Sequence, residues 1–180
     1  MKSEQVIIET PRLLLRGLIL SDDKSMFELD SDIDVHKYLG NNPIKSIEES
    51  RKIISEIQQQ YEVNGIGRWA MIEKSTNQFI GWTGLKLITE PINNHVNYYD
   101  LGYRLIKKNW GRGFGTEAAK ASLDYGFNTL GIETIYAMSD IQNLRSLHIL
   151  QKVGLLPIEK FWHNGVQNEW LKVERNKIQY

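Results

Sequence analysis

Apolar positions along this chain follow two rhythms. Runs that alternate, or are almost wholly apolar over a short length, predict strands at 12–20 (RLLLRGLIL), 68–74 (RWAMIEK), 78–88 (QFIGWTGLKLI), 98–106 (YYDLGYRLI) and 133–139 (ETIYAMS). The segment LPIEKFWHNGVQNEWLKVER predicts two more around an Asn164-Gly165 turn, and a second hairpin joins RWAMIEK to QFIGWTGLKLI through STN. In the 98–106 strand, alternation sends Tyr99, Leu101, Tyr103 and Leu105 to one side, and Tyr98, Asp100, Arg104 and Ile106 to the other. The helical rhythm appears after Ser21-Asp22-Asp23, with Met26, Phe27 and Leu29. It recurs briefly at Val35–Leu39, and again from a Ser46 cap to Tyr61 with Ile47, Ile53, Ile54 and Ile57 near one face. Two further helices are expected, from about Thr116 to Asn128 and at NLRSLHILQKV, which stops at Gly154. The strand–helix–strand unit at 98–139 requires a parallel, right-handed pair. The expected class is α/β (α+β mixed): a mostly antiparallel sheet with one parallel β-α-β crossover and helices on both faces.

At 180 residues the chain is read as one domain, 1–180. Lys and Arg number 22 and so do Asp and Glu, so the basic excess of a nucleic-acid binder is missing. There is no cysteine, which removes disulfides, thiolate metal sites and a cysteine nucleophile together. No His/acid cluster suggests a metal. The early apolar run Leu13–Leu20 is interrupted by Arg16, and nothing approaches the roughly 20 apolar residues of a membrane span. A cytoplasmic protein that binds neither membrane nor nucleic acid is expected. Homodimerisation is left open. One local bias changes the picture: between Arg104 and Lys120 the single acid Glu117 faces Arg104, Lys107, Lys108, Arg112 and Lys120. That is either a solvated loop or a setting for a small polyanion.

The same region reads NWGRGFGTEAAK (109–120), with Gly111, Gly113 and Gly115 at every second position before a helix. A helix start exposes unpaired N–H groups and a partial positive charge, and glycine lets a phosphate approach them. A P-loop fails here, because Thr116-Glu117 stands where Gly-Lys-Ser/Thr is needed. A dinucleotide fingerprint fits poorly. Thr116 occupies a glycine or alanine position, Glu133 opens its strand instead of closing it, and Asp140 comes late.

LGYRLIKKNWGRGFGTEAAKASLDYGF followed by SDIQNLRSLHILQKVGL resembles the acyl-CoA-binding core of the GNAT N-acetyltransferases. ETPRLLLRGLILSD and NGVQNEWLKVER resemble the branch containing the ribosomal-protein N-terminal (alanine/serine) acetyltransferases. The resemblance implies a sheet that splays into an acyl-CoA slot. It also implies acetyl-CoA as co-substrate without a metal, and a primary-amine acceptor, either a protein N-terminus or a small molecule.

By that resemblance the diphosphate is held at Arg112, Gly113, Phe114, Gly115 and Thr116, and the pantetheine arm by the backbone around Leu105, Ile106 and Lys107. Trp110 takes the place of the family's usual polar loop residue. Asn143 matches the asparagine that contacts the arm, and its position also suits a helix N-cap. Leu150 stands where many members place a proton-donating tyrosine. Ser146, one helical turn from Asn143, matches the serine to which the ribosomal-type branch assigns that proton.

With no cysteine and no G-x-S-x-G elbow, direct attack of the amine on the thioester is the simpler chemistry. Asp100, upstream of the expected acetyl position, is a candidate base. The alternative for it is an ion pair, but Arg104 lies roughly 13 Å along the strand, too far to serve. Tyr98, Glu73 and His148 stay open as bases, and Trp69, Trp82 and Trp162 as cleft or core residues. The rival functional class is a non-catalytic acyl-CoA-binding module on the same fold.

Overall fold

The structure, a computed structural model, describes residues 6–177. Its strands are β1 (Val6–Glu9), β2 (Leu13–Gly17), β3 (Arg68–Glu73), β4 (Gln78–Ile88), β5 (Tyr98–Leu105), β6 (Thr134–Asp140), β7 (Leu156–His163) and β8 (Val166–Glu174). The helices are α1 (Asp23–Asp30), α2 (Ile33–His36), α3 (Ile47–Asn64), α4 (Phe114–Asp124) and α5 (Leu144–Lys152). All eight strands form one sheet in the order β1-β2-β3-β4-β5-β6-β8-β7. Every neighbouring pair is antiparallel except β5 and β6, which α4 joins in parallel.

Alternation distributes the core to both faces. Leu13 and Leu15 of β2, Leu101 of β5 and Ile135 and Ala137 of β6 pack with Phe114, Ala118, Leu123 and Leu150 beneath α4 and α5. Ala70 and Ile72 of β3 point the other way and meet Met26, Leu29, Ile54 and Ile57 of α1 and α3. Helices thus lie on both faces.

Several elements differ from the sequence reading; the short helix expected at Val35–Leu39, for one, forms at Ile33–His36. β1 was not expected, because four residues are too few to establish an alternation. The strand expected at 12–20 stops at Gly17. There the Asp22 carboxylate takes a two-pronged bond from Arg16 (2.8 and 2.7 Å) and accepts the Ile19 N–H at 3.0 Å, which pulls the chain into a turn. The helix expected from Thr116 begins at Phe114, because Gly113 adopts a left-handed conformation (φ 81°) as its N-cap. The hairpin at Asn164-Gly165, the Ser46 cap and the stop before Gly154 agree with expectation.

The β5–β6 junction positions everything that follows. These strands pair only at Tyr99↔Ile135 and Asp100↔Tyr136. Beyond Asp100, β5 runs on to Leu105 against β4, while β6 stays with β8 as far as Asp140↔Asn168. The sheet therefore opens into a V with its apex at Asp100.

Candidate functional site

The open edge of the V is the backbone of β5. Ile106 donates its N–H to Ile80 of β4 (3.0 Å), and antiparallel alternation then turns Tyr103 and Leu105 toward the gap. The Leu105 carbonyl is already engaged by Trp110 Nε1–H at 2.8 Å. Trp110 packs against the α1–α3 core and ties the end of β5 to the following loop. The Lys107 side chain does not enter the gap, since its ammonium pairs with Asp34 of α2. Asp34 is held below the usual carboxylate range by that bond.

The glycine loop closes the mouth of the V. Gly111 (φ 73°) and Gly113 (φ 81°) are both left-handed, a conformation that costs other residues about 1–2 kcal/mol. They turn the chain so that α4 starts under β5. The first α4 bond runs from Glu117 N–H to the Gly113 carbonyl, which leaves the amides of Phe114, Gly115 and Thr116 without intrahelical acceptors. The Phe114 side chain is buried in the core, so its contribution at the mouth is its amide. Gly115 fits closely: a Cβ there would stand 3.2 Å from Ile149 Cδ1 and 3.3 Å from Leu105 Cδ1.

The cationic bias counted along the sequence is met by acids from elsewhere in the fold. Arg104 pairs with Asp30, Lys107 with Asp34, Lys108 with Glu28 (2.8 Å) and Arg112 with Glu73 (2.6 Å). Glu117, the single acid of that stretch, is bound by Thr10 Oγ1–H (2.6 Å) and by Arg12. Burial would raise the Glu117 pKa, but these donors outweigh it and hold the carboxyl below its ordinary range.

Across the gap, Asn143 is the N-cap of α5, its Oδ1 accepting the Ser146 N–H at 3.2 Å. Both stand at the start of one helix, and Ser146 meets Tyr103 of β5. The Tyr103 hydroxyl donates to the Ser146 carbonyl (3.0 Å) and lies 3.3 Å from Ser146 Oγ. Burial pushes the Tyr103 phenol well above its usual value. The sequence reading placed Tyr103 on a strand face and gave it no role. Alternation assigns Tyr103 the face it shares with Leu105, but that it reaches the helix carrying Ser146 is visible only in the fold. Leu150 is fully enclosed in the core and offers no proton.

Asp100 occupies the apex on the opposite face. The ion-pair alternative rejected for Arg104 is realised by Arg68 of β3, whose guanidinium bonds the Asp100 carboxylate and carbonyl (2.7 Å to the carbonyl) and the Gly84 carbonyl. Both side chains are nearly enclosed, at 10% and 15% exposure. Gly102 makes the room: a Cβ there would fall 2.7 Å from Arg68 Nη2. Burial raises the Asp100 pKa, with the Arg68 charge opposing and not cancelling it. Trp82 lies beside both Arg68 and Arg104 (5.4 and 5.0 Å), and Arg104 leads on to Asp30 and the buried His36.

The other open residues sort plainly. Trp69 is core and Trp162 is exposed. Glu73 is engaged by Arg112 and Thr76, Tyr98 is buried among aromatic rings, and His148 is exposed. Among the described residues, no three His, Cys, Asp or Glu side chains gather as metal ligands, and no helix is long and apolar enough to cross a membrane.

A slot between parting strands, bounded by bare helix-start amides at its mouth and a buried carboxylate at its apex, can admit an extended, phosphate-bearing chain. The family described as Acetyltransferase (GNAT) domain matches residues 12–156. The chain is 32% identical over 152 residues to an uncharacterized N-acetyltransferase, p20, of Bacillus licheniformis, covering 82% of this chain and 83% of that one. It is 27% identical to the spermidine N(1)-acetyltransferase of Escherichia coli K12, over 78% and 70% of the two chains. Among solved structures, the ribosomal-protein-S5-alanine acetyltransferase of Vibrio fischeri superposes with a TM-score of 0.75 at 16% identity, over 98% and 100%.

Proposed function

Because the chain belongs to the GNAT acetyltransferase family, we propose that it moves the acetyl group of acetyl-CoA directly onto a primary amine. That it is an acetyltransferase follows from the family. The acceptor and the roles of individual residues are the proposal, and the opening of β5 from β6 at Asp100 is the observation that carries it.

In this reading the diphosphate lies against the amides from Gly113 to Thr116, beside Arg112. The pantetheine arm follows the β5 edge from Lys107 through Ile106 to Leu105, as an added strand would, with Asn143 of α5 on its other side. The Leu105 and Tyr103 N–H groups are the donors that alternation turns toward it. The thioester then reaches the apex.

The amine enters from the α1–α2 face. Its nitrogen forms the new C–N bond as the C–S bond breaks. Asp100 takes the amine proton, and a carboxyl raised by burial suits that task. Ser146, held by Tyr103, relays a proton from solvent to the departing thiolate, its hydroxyl being restored in the same step.

The acceptor class determines how much the base must do. An α-amine with pKa about 8 is roughly a tenth neutral at pH 7, whereas an alkyl amine near 10.4 is neutral about once in a few thousand. One relative is named for spermidine, and a protein that shares the fold is named for a ribosomal-protein alanine.

Thiol release from acetyl-CoA, measured against N-terminal peptides, polyamines and aminoglycosides, tests the proposal and selects among them. Tight CoA binding with no release on any amine would replace it with the non-catalytic acyl-CoA-binding module.

A further inference from the structure

Arg12 lies some hundred residues from the glycine loop in sequence and against it in space. Four contacts fix its position. Its amide donates to Glu117 Oε1 (2.9 Å), its Nε to Glu117 Oε2 (2.7 Å) and its Nη1 to the Arg112 carbonyl (2.9 Å), while its guanidinium sits 4.6 Å from the centre of the Phe114 ring. The remaining corner, Nη2, stands 3.3 Å from where a Gly113 Cβ would be. That is beside the backbone of Gly113, the N-cap of α4. Half of the side chain is exposed, and a hollow lined by Pro11, Arg12, Glu73, Lys74 and Ser75 opens beside it.

A lone surface arginine would lose conformational freedom in meeting an anion. This one has already lost it to Glu117, and its own charge offsets that carboxylate. Its neighbour Arg112 is committed to Glu73 and to Asn109 Oδ1. The guanidinium, planar and permanently charged, spreads its donors so that Nη2 can meet a phosphate oxygen while Nε and Nη1 keep their bonds, an arrangement an ammonium does not offer.

We infer that Arg12 is a diphosphate-binding residue: its Nη2 donates to the acyl carrier beside Gly113, while its other donors hold the glycine loop in shape. This rests on the acyl-CoA reading above. It adds a ligand from the β1–β2 turn to a grip otherwise made of main-chain amides.

The test compares two thioesters, acetyl-CoA and S-acetylpantetheine, which lacks the diphosphate. Arg12→Ala should lower kcat/KM for acetyl-CoA about 10- to 100-fold, chiefly through KM, the usual consequence of losing a charged hydrogen bond. S-acetylpantetheine should be used as well as by the parent enzyme. Arg12→Lys, which keeps the charge but cannot bond Glu117, the Arg112 carbonyl and a phosphate together, should lose most of the same affinity. CoA binding by calorimetry should fall in parallel.

Equal losses with both thioesters would overturn the inference, as would unchanged CoA affinity in both variants; so would a Glu117→Ala variant, which removes the same anchor from the loop but keeps the guanidinium, losing as much CoA affinity as Arg12→Ala. Should the parent protein bind CoA yet acetylate nothing, the transfer reading fails and calorimetry alone judges Arg12. Should it not bind CoA, both ideas fall.

Discussion

Gly102→Ala tests whether the Arg68–Asp100 pair is built into the site or incidental to it. The backbone at Gly102 is not left-handed, so alanine meets no conformational penalty and removes some unfolded-state entropy, worth about 0.5–1 kcal/mol in its favour. Sterics oppose it. The new Cβ would lie 2.7, 2.8 and 3.1 Å from Nη2, Cζ and Nη1 of Arg68, and the guanidinium cannot shift without breaking its bonds to Asp100 and to the Gly84 carbonyl. Displacing it leaves the Asp100 carboxyl enclosed without its partner. Breaking a buried pair in this way costs about 3–5 kcal/mol, so a net loss of about 2–4 kcal/mol is expected. For a chain of this length that corresponds to a fall in Tm of about 5–15 °C, read by thermal or denaturant unfolding. Replacing both partners by leucine removes the charge that would be stranded, and in that background Gly102→Ala should cost little. A variant with parental Tm, or one equally damaged when the pair is already absent, would refute the reasoning.

Ser146→Ala should lower kcat by about a hundredfold or less, because thiolate leaves readily without help, while the KM for acetyl-CoA stays near the parent value. Unchanged steady-state turnover would remove Ser146 from the chemistry. His36 is buried, and burial, then the nearby Arg104 charge, push its imidazole below the usual range. The unfolded chain therefore takes this proton first, so the contribution of neutral His36 to stability is complete above about pH 6.5 and is lost as pH falls below it. His36→Gln should accordingly lose less Tm than the parent between about pH 7.5 and pH 5.5. Identical acid sensitivity in melting curves would count against a buried neutral imidazole.

What could be read from sequence was local. Alternation in 98–106 gave the correct face for each residue of β5, and the glycine spacing marked the start of α4 to within two residues. The parallel crossover followed from order alone. What could not be read was pairing at long range. A charge count over Arg104–Lys120 left a solvated loop and a setting for a small polyanion both open, because the acids that pair with four of those cations sit on α1, α2 and β3. The partner of Asp100 was sought along its own strand and stands two strands away, 32 residues back in the chain. Periodicity reports which face a side chain takes and is silent on who waits there.

A sheet joined at its middle by two residue pairs is mechanically two slabs, one of β1 to β5 and one of β6, β8 and β7, held together across the seam by those pairs and by the core they share beneath α4 and α5. An acyl carrier laid along β5 would supply the seam the polypeptide omits. The ligand would then act as a piece of architecture as well as a reagent, and its departure after reaction would leave a looser molecule than the one that did the chemistry.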